Sequence, residues 1–316
     1  MRAVSVVALL LVAMLAEVAA ASSYSPAWDW AFPPSVPPDN PDTVVRRSIP
    51  GSLLHFTEAQ TRDLMHAVDW QPADHAPMPE SVAHGTGGAL ACGFCHLPTG
   101  HGRPENSALA GLPAAYIEQQ VKAFADGTRR AAKADHRAAL LMAKTAQAAP
   151  PEAVRSAALY FSRQPFVSRV RVVEAETIPH PKPFAFVYAI DPAAPPEPLG
   201  QRIIEAPANP DDFELRDPRM TFTAYVPRGA VAEGAALAKS GGAAAQPCTV
   251  CHGPGLRGGI APPLAGRSPT TMARQLIAFQ TGARANAEAA PMRLIAARLT
   301  DREMIALSAY AATLKP

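Results

Sequence analysis

Two pentapeptides concentrate the reactive side chains of this 316-residue chain: CGFCH, Cys92 to His96, and CTVCH, Cys248 to His252, which between them use all four cysteines. Thiols three residues apart on one turn of helix can bond the two vinyl groups on one side of a porphyrin while the adjacent imidazole reaches the iron, and CxxCH is the attachment signature of c-type haem. Three other uses of paired thiols compete with it. A redox dithiol needs no histidine directly after its second cysteine, and a zinc site built from both pairs would have to close across 156 residues of chain. Two structural disulfides are the third use, since an exported protein ordinarily oxidises an even number of cysteines. Two occurrences that consume every cysteine favour the haem signature over all three. The motifs therefore predict two covalently attached haem c groups, on Cys92 and Cys95 and on Cys248 and Cys251.

The residues after each motif repeat. LAGLPAAYIEQQVKAFADGTR, Leu109 to Arg129, lies over LAGRSPTTMARQLIAFQTGAR, Leu264 to Arg284, at an offset of 155, with Gln120 on Gln275, Phe124 on Phe279, Gly127 on Gly282 and Arg129 on Arg284. Each copy predicts an amphipathic helix closed by a glycine C-cap. Downstream the match resumes at an offset of 150, where Tyr160 falls on Tyr310 and Met142 on Met292. Self-similarity of this kind predicts two copies of one domain. Methionine ordinarily fills gaps in a core, but of nine methionines this pair alone sits at matching positions downstream of both motifs. A thioether is a soft ligand, and His/Met axial ligation raises haem potential and suits electron transfer. His96 with Met142 and His252 with Met292 are the expected axial pairs.

The elements that must position these residues are less regular. Arg2, a largely apolar run from Ala3 to Leu15 and small residues at Ala19 to Ala21 follow the order of a secretory signal peptide. Glu17 leaves that run shorter than the ~20 apolar residues a span requires. Cleavage near Ala20 or Ala21, a periplasmic location and no membrane span in the mature chain are expected. A formal net charge of +2 provides no basic footprint for nucleic acid. The stretch LLHFTEAQTRDLMHAVDW predicts one amphipathic helix, with Leu53, Leu54, Leu64, Met65 and Val68 available to pack on the first haem domain. His55, His66, His75 and His84 lie nearby at irregular spacing, without a carboxylate pattern, and read as surface or packing residues. The alternating runs VSRVRVVEAETI and FAFVYAI, and then GQRIIEAP, predict short strands separated by proline turns. They form either a structured linker that fixes one domain against the other or a docking surface for a partner enzyme.

These residues resemble the class I c-type cytochromes, and within them the two-haem, two-domain bacterial cytochromes of the cytochrome c4 kind. CGFCH, LAGLPAAYIEQQVKAFADGTR and Met142 carry the likeness in the first half; CTVCHG, PPLAGRSPTTMARQL and Met292 carry it in the second. The resemblance implies a mainly α fold, with cytochrome c domains at 81–163 and 227–316. The signal peptide occupies 1–21, an N-terminal extension 22–80, and an irregular, strand-containing interdomain segment 164–226. It implies proximal His96 and His252 and distal Met142 and Met292. It also implies a proline carbonyl that accepts the proximal histidine's other ring N–H. Pro262 fits that role, whereas Ser107 stands at the equivalent place in the first copy, so the orientation of His96 and the potential of the first haem are expected to differ. The implied function is electron carriage without catalysis, from an exported dehydrogenase to a terminal oxidase or reductase. The alternatives are a two-haem peroxidase or thiosulfate dehydrogenase, and a haem subunit held in a periplasmic dehydrogenase complex. Methionine at both sixth positions would close the coordination sites that a peroxidase must open.

Overall fold

A computed structural model describes residues 23–36, 40–244 and 246–316; the expected signal peptide lies outside them. The described chain opens on a 3-10 turn, Pro26–Ala31, that buries Trp28 and Trp30. Strand β1 (Arg46–Arg47) pairs antiparallel with β2 (Phe56–Thr57), and helix α1 (Glu58–Thr61) follows. The single helix expected through LLHFTEAQTRDLMHAVDW does not form. Thr57 and Gln60 close a capping box that starts α1. Two residues past its end the Asp63 carboxylate accepts the Met65 N–H at 2.9 Å, a local turn that competes with continued helix. Leu53 is 94% exposed, and Val68 and Trp70 instead enter a core with Ile49 and Leu215 at the two-residue spacing of extended chain.

The first repeat unit comprises α2 (Glu80–Ala83), α3 (Cys92–His96), α4 (Ala114–Ala125), α5 (Arg137–Ala148) and α6 (Pro151–Ser162). Val82, Leu112, Ile117, Ala158, Tyr160 and Phe161 form its core. The helix predicted after the first motif is α4, and Gly127 follows it at φ 74°, the left-handed conformation a glycine cap adopts.

The strands expected in the interdomain segment are present. They are β3 (Val170–Ala175), β4 (Thr177–Ile178), β5 (Pro181–Phe184), β6 (Val187–Ile190), β7 (Glu197–Pro198), β8 (Ile204–Pro207) and β9 (Phe222–Pro227), with a short helix α7 (Pro210–Glu214) before the last. β9 is the central strand of a three-stranded sheet, parallel to β3 and antiparallel to β8. The second repeat unit follows as α8 (Ala230–Ser240), α9 (Cys248–His252), α10 (Pro269–Gln280), α11 (Ala290–Ala296) and α12 (Asp301–Thr313).

The two added segments are built into the helical units rather than set apart from them. Ile204, Ala224 and Val226 of the sheet share one core with Ala273 and Ile277 of α10, with Met304 and Ala309 of α12, and with Trp28, Trp30 and Phe32 near the N-terminus. At its other end the same segment packs Phe213, Met220 and Phe222 around Leu97, the residue after His96. The Trp70 indole N–H donates to the Leu215 carbonyl at 2.6 Å. The interdomain segment is thus a bracket that contacts both units. Among the described residues no helix is long and apolar enough to cross a membrane.

Candidate functional site

Each CxxCH motif folds as one short helix, α3 or α9, ended by a positive φ at the next residue, 63° at Leu97 and 74° at Gly253. The turn sends the chain back beneath the histidine, where a backbone carbonyl meets its ring. His96 Nδ1 donates to the Ser107 carbonyl and His252 Nδ1 to the Pro262 carbonyl, each at 2.8 Å. The expected difference in orientation is therefore corrected: the acceptor is main chain, so serine supplies it as well as proline. Burial drives the His96 pKa down to about 4 and lowers that of His252. Both rings are neutral at pH 7, with Nδ1 committed as donor and the Nε2 lone pair free to bind a metal.

None of the four cysteines is in a disulfide, and burial pushes the Cys92 thiol up to about 12 and raises Cys95 and Cys248. A redox dithiol needs the opposite, an environment that stabilises thiolate. Cys92, Cys95 and His96 line one apolar cavity together with Met142, which projects from the middle of α5. Met292 sits near the start of α11 and packs on Phe279, Ala289 and Ala296. Both methionines are therefore helical. In the second copy Val250, within the motif, is 62% exposed and Ile260 is 90% exposed, whereas Phe94, the counterpart of Val250, is 4% exposed.

Between the units the repeat becomes a contact. Arg129 pairs antiparallel with its own repeat mate Arg284, flanked by Arg130 N–H to the Ala283 carbonyl at 2.8 Å and Ala285 N–H to the Thr128 carbonyl at 2.7 Å. The side chains exchange partners across this local two-fold. Gln120 Oε1 accepts from Arg129 and from Arg284 at 2.8 Å each, and Gln275 Oε1 accepts from both at 3.0 Å. Each guanidinium also stacks on its own helix's aromatic ring, Arg129 on Phe124 at 4.6 Å and Arg284 on Phe279 at 4.5 Å. The residues matched in the sequence repeat thus meet at the interface. Their role there was not readable, because a repeat reports equivalence and not contact.

The second unit also holds the loop that orients His96. Arg267 donates to the carbonyls of Ala108 and Ala110 at 2.8 and 3.0 Å, and Arg274 donates to that of Pro104 at 2.8 Å. These carbonyls flank Ser107 on both sides.

Arg129, Arg267, Arg274 and Arg284 all line the cavity of the first motif. Burial lowers Arg129 to about 9 and both Arg267 and Arg274 to about 10, so they remain charged at pH 7. Nε of Arg274 and Nε of Arg284 are buried and have no hydrogen-bond partner among the described residues, as is Nδ1 of His136 on the same wall. Buried orphan donors are rare in proteins. A cavity with two thiols, a neutral imidazole, a thioether and orphaned cationic donors fits a haem c group, which brings vinyl groups, an iron and two carboxylates. In the sequence the repeat mates of that set are Cys248, Cys251, His252 and Met292.

No family model matches the chain. It is similar to cytochrome c4 of Azotobacter vinelandii, 32% identical over 130 residues, which take in 36% of this chain and 62% of that protein, so the match spans less than two thirds of the curated relative. Among solved structures, cytochrome c4 of Acidithiobacillus ferrooxidans aligns over 71% of this chain and 98% of its own at 25% identity and a TM-score of 0.45. Cytochrome c4 of Pseudomonas stutzeri aligns over 71% and 93% at 23% identity and a TM-score of 0.44. The thiosulfate dehydrogenase TsdBA of Marichromatium purpuratum aligns over 71% of this chain and 36% of that one at 25% identity and a TM-score of 0.46.

Proposed function

We propose that this protein is an exported carrier of single electrons, holding one haem c on each CxxCH helix and shuttling between a dehydrogenase as donor and a terminal oxidase or reductase as acceptor. The observation that carries the proposal is the shared cavity of Cys92, Cys95, His96 and Met142, whose four repeat mates recur in the second unit. When bound, the haems supply one-electron Fe(II)/Fe(III) chemistry.

Every other part of the task falls to the chain. Cys92, Cys95, Cys248 and Cys251 would anchor the groups covalently, and His96 and His252 would bind iron through Nε2. The Ser107 and Pro262 carbonyls hold those rings in one tautomer and orientation. Met142 and Met292 would supply the second protein ligand to each iron, so that no coordination site would stay open for a substrate, which would separate a carrier from a peroxidase. Arg129, Arg274 and Arg284 would hold carboxylates at the interface, where low dielectric strengthens charge-assisted hydrogen bonds.

The test is the oxidised absorption spectrum. Methionine bound to ferric haem produces a weak far-red charge-transfer band, and Met292→Ala is expected to remove about half of it. A high-spin ferric spectrum in the unmodified protein, or rapid turnover of peroxide, would overturn the carrier reading.

A further inference from the structure

We propose that Arg216 raises the reduction potential of the first haem above that of the second, so that the interdomain segment tunes one site and not the other. The inference rests on the two-haem reading above. The loop after α7 lays Arg216 against the first motif helix: its guanidinium carbon stands 3.5 Å from the centroid of the Phe94 ring. Its Nε donates to the Thr61 carbonyl at 2.7 Å and its Nη1 to the Phe94 carbonyl at 2.9 Å. One side chain therefore ties the N-terminal extension and the interdomain segment to the residue between Cys92 and Cys95.

The backbone around this contact is strained on both sides of it. Arg216 has φ 57° and Leu97 has φ 63°, left-handed values that residues with a Cβ adopt only when their surroundings impose them. Leu97 is pinned by Phe213, Met220 and Phe222, which lie on either side of Arg216 in the chain. Strain persists where other contacts over-determine it, and here they press one cation onto one helix.

The charge is offset only in part, by the fields of Glu105 and Glu214. Arg216 makes no ion pair among the described residues, and its hydrogen bonds above go to carbonyls. The acids nearby are engaged by other arginines, Glu105 by Arg103 at 2.7 Å and Glu214 by Arg62 at 3.1 Å. Its field reaches the Cys95 thiol. Oxidation adds one positive charge at the iron, and a fixed cation in a medium of reduced dielectric opposes that step, which favours the ferrous form. In the second copy Val250 occupies the place of Phe94 with its side chain open to solvent. Solvent on that face of the motif helix would screen charge and favour the ferric form.

The experiment is a spectroelectrochemical titration of the full two-haem protein beside Arg216→Asn, chosen because asparagine tolerates a left-handed backbone. Arg216→Gln serves as a second neutral variant should Asn fail to fold. The unmodified protein is expected to show two waves. In the neutral variant the higher wave falls, with the ferrous-to-ferric ratio at a fixed applied potential dropping about tenfold, about 59 mV for one electron. Arg216→Lys, which keeps the charge and loses the planar fork, leaves that wave near its original place. Equal movement of both waves, movement of the lower one alone, no movement, or a fall in the Lys variant equal to that in the neutral one would each overturn the proposal. An alkaline pyridine haemochrome measurement counts haems independently of potential. Fewer than two per chain in the unmodified protein would overturn the two-haem reading beneath it.

Discussion

At the scale of single residues, Arg284 directs its donors to neutral acceptors: Gln275, Gln120 and the Tyr116 hydroxyl, the last at 2.9 Å. Replacing it strips a charged partner from the buried Gln120 and the half-buried Gln275 and Tyr116 at once. Arg284→Gln is expected to lower stability by about 2 kcal/mol, the scale of lost hydrogen bonds to a charged group. Urea unfolding midpoints would measure it, with Arg298→Gln on the exposed surface staying within about 0.5 kcal/mol. Sequence marked Arg129 and Arg284 as a matched pair yet left their purpose blank. Ser107 shows the reverse error: a side-chain difference was expected to matter where a main-chain carbonyl does the work. His136 and its unpartnered Nδ1 carried no signal at all, because a lone histidine ahead of a helix has no motif around it.

At the scale of elements, α8 and α12 cross at backbone contact. A Cβ on Gly234 would stand 2.0 Å from the Ala306 carbonyl oxygen, so this glycine serves close approach and not a turn. Gly234→Ala is expected to cost about 2 kcal/mol through overpacking, read as a lowered thermal midpoint, with larger residues costing more. α4 and α10 were legible because each presents an apolar stripe at helical spacing and ends at a glycine. The helix expected across Leu53 to Trp70 was misread because apolar content imitates periodicity. Its residues divide between solvent, a capped turn and a core reached from extended chain, and the deciding partner, Leu215, lies far away in sequence.

At the scale of the whole molecule, the N-terminal extension is tied to the first haem unit through a buried imidazole. His75 Nε2 faces Asp69 Oδ1 at 3.1 Å and Nδ1 donates to the Ala76 carbonyl at 2.8 Å, while the Tyr160 hydroxyl stands 3.0 Å from Nδ1 and donates to the Pro98 carbonyl at 2.7 Å. The Asp69 carboxylate raises the His75 pKa against the opposing effect of burial. A raised folded value stabilises the protein fully below the ordinary imidazole value of about 6.5, and that contribution is lost as pH rises through the folded value. Stability is therefore expected to decline from about pH 6.5 upward, and His75→Gln should flatten that slope in unfolding midpoints taken across the range. By itself the sequence determined the local chemistry: two CxxCH helices, set by spacings within one turn of chain, and the repeated segments after them, found as self-similarity at offsets of 155 and 150 residues. Only the tertiary structure decided that the two copies clasp each other through exchanged Arg and Gln pairs, that both added segments fold into the helical cores, and that Arg216 leans on one motif alone. Those contacts join residues more than a hundred positions apart, where burial and close packing choose the partner and no periodicity in the chain records it.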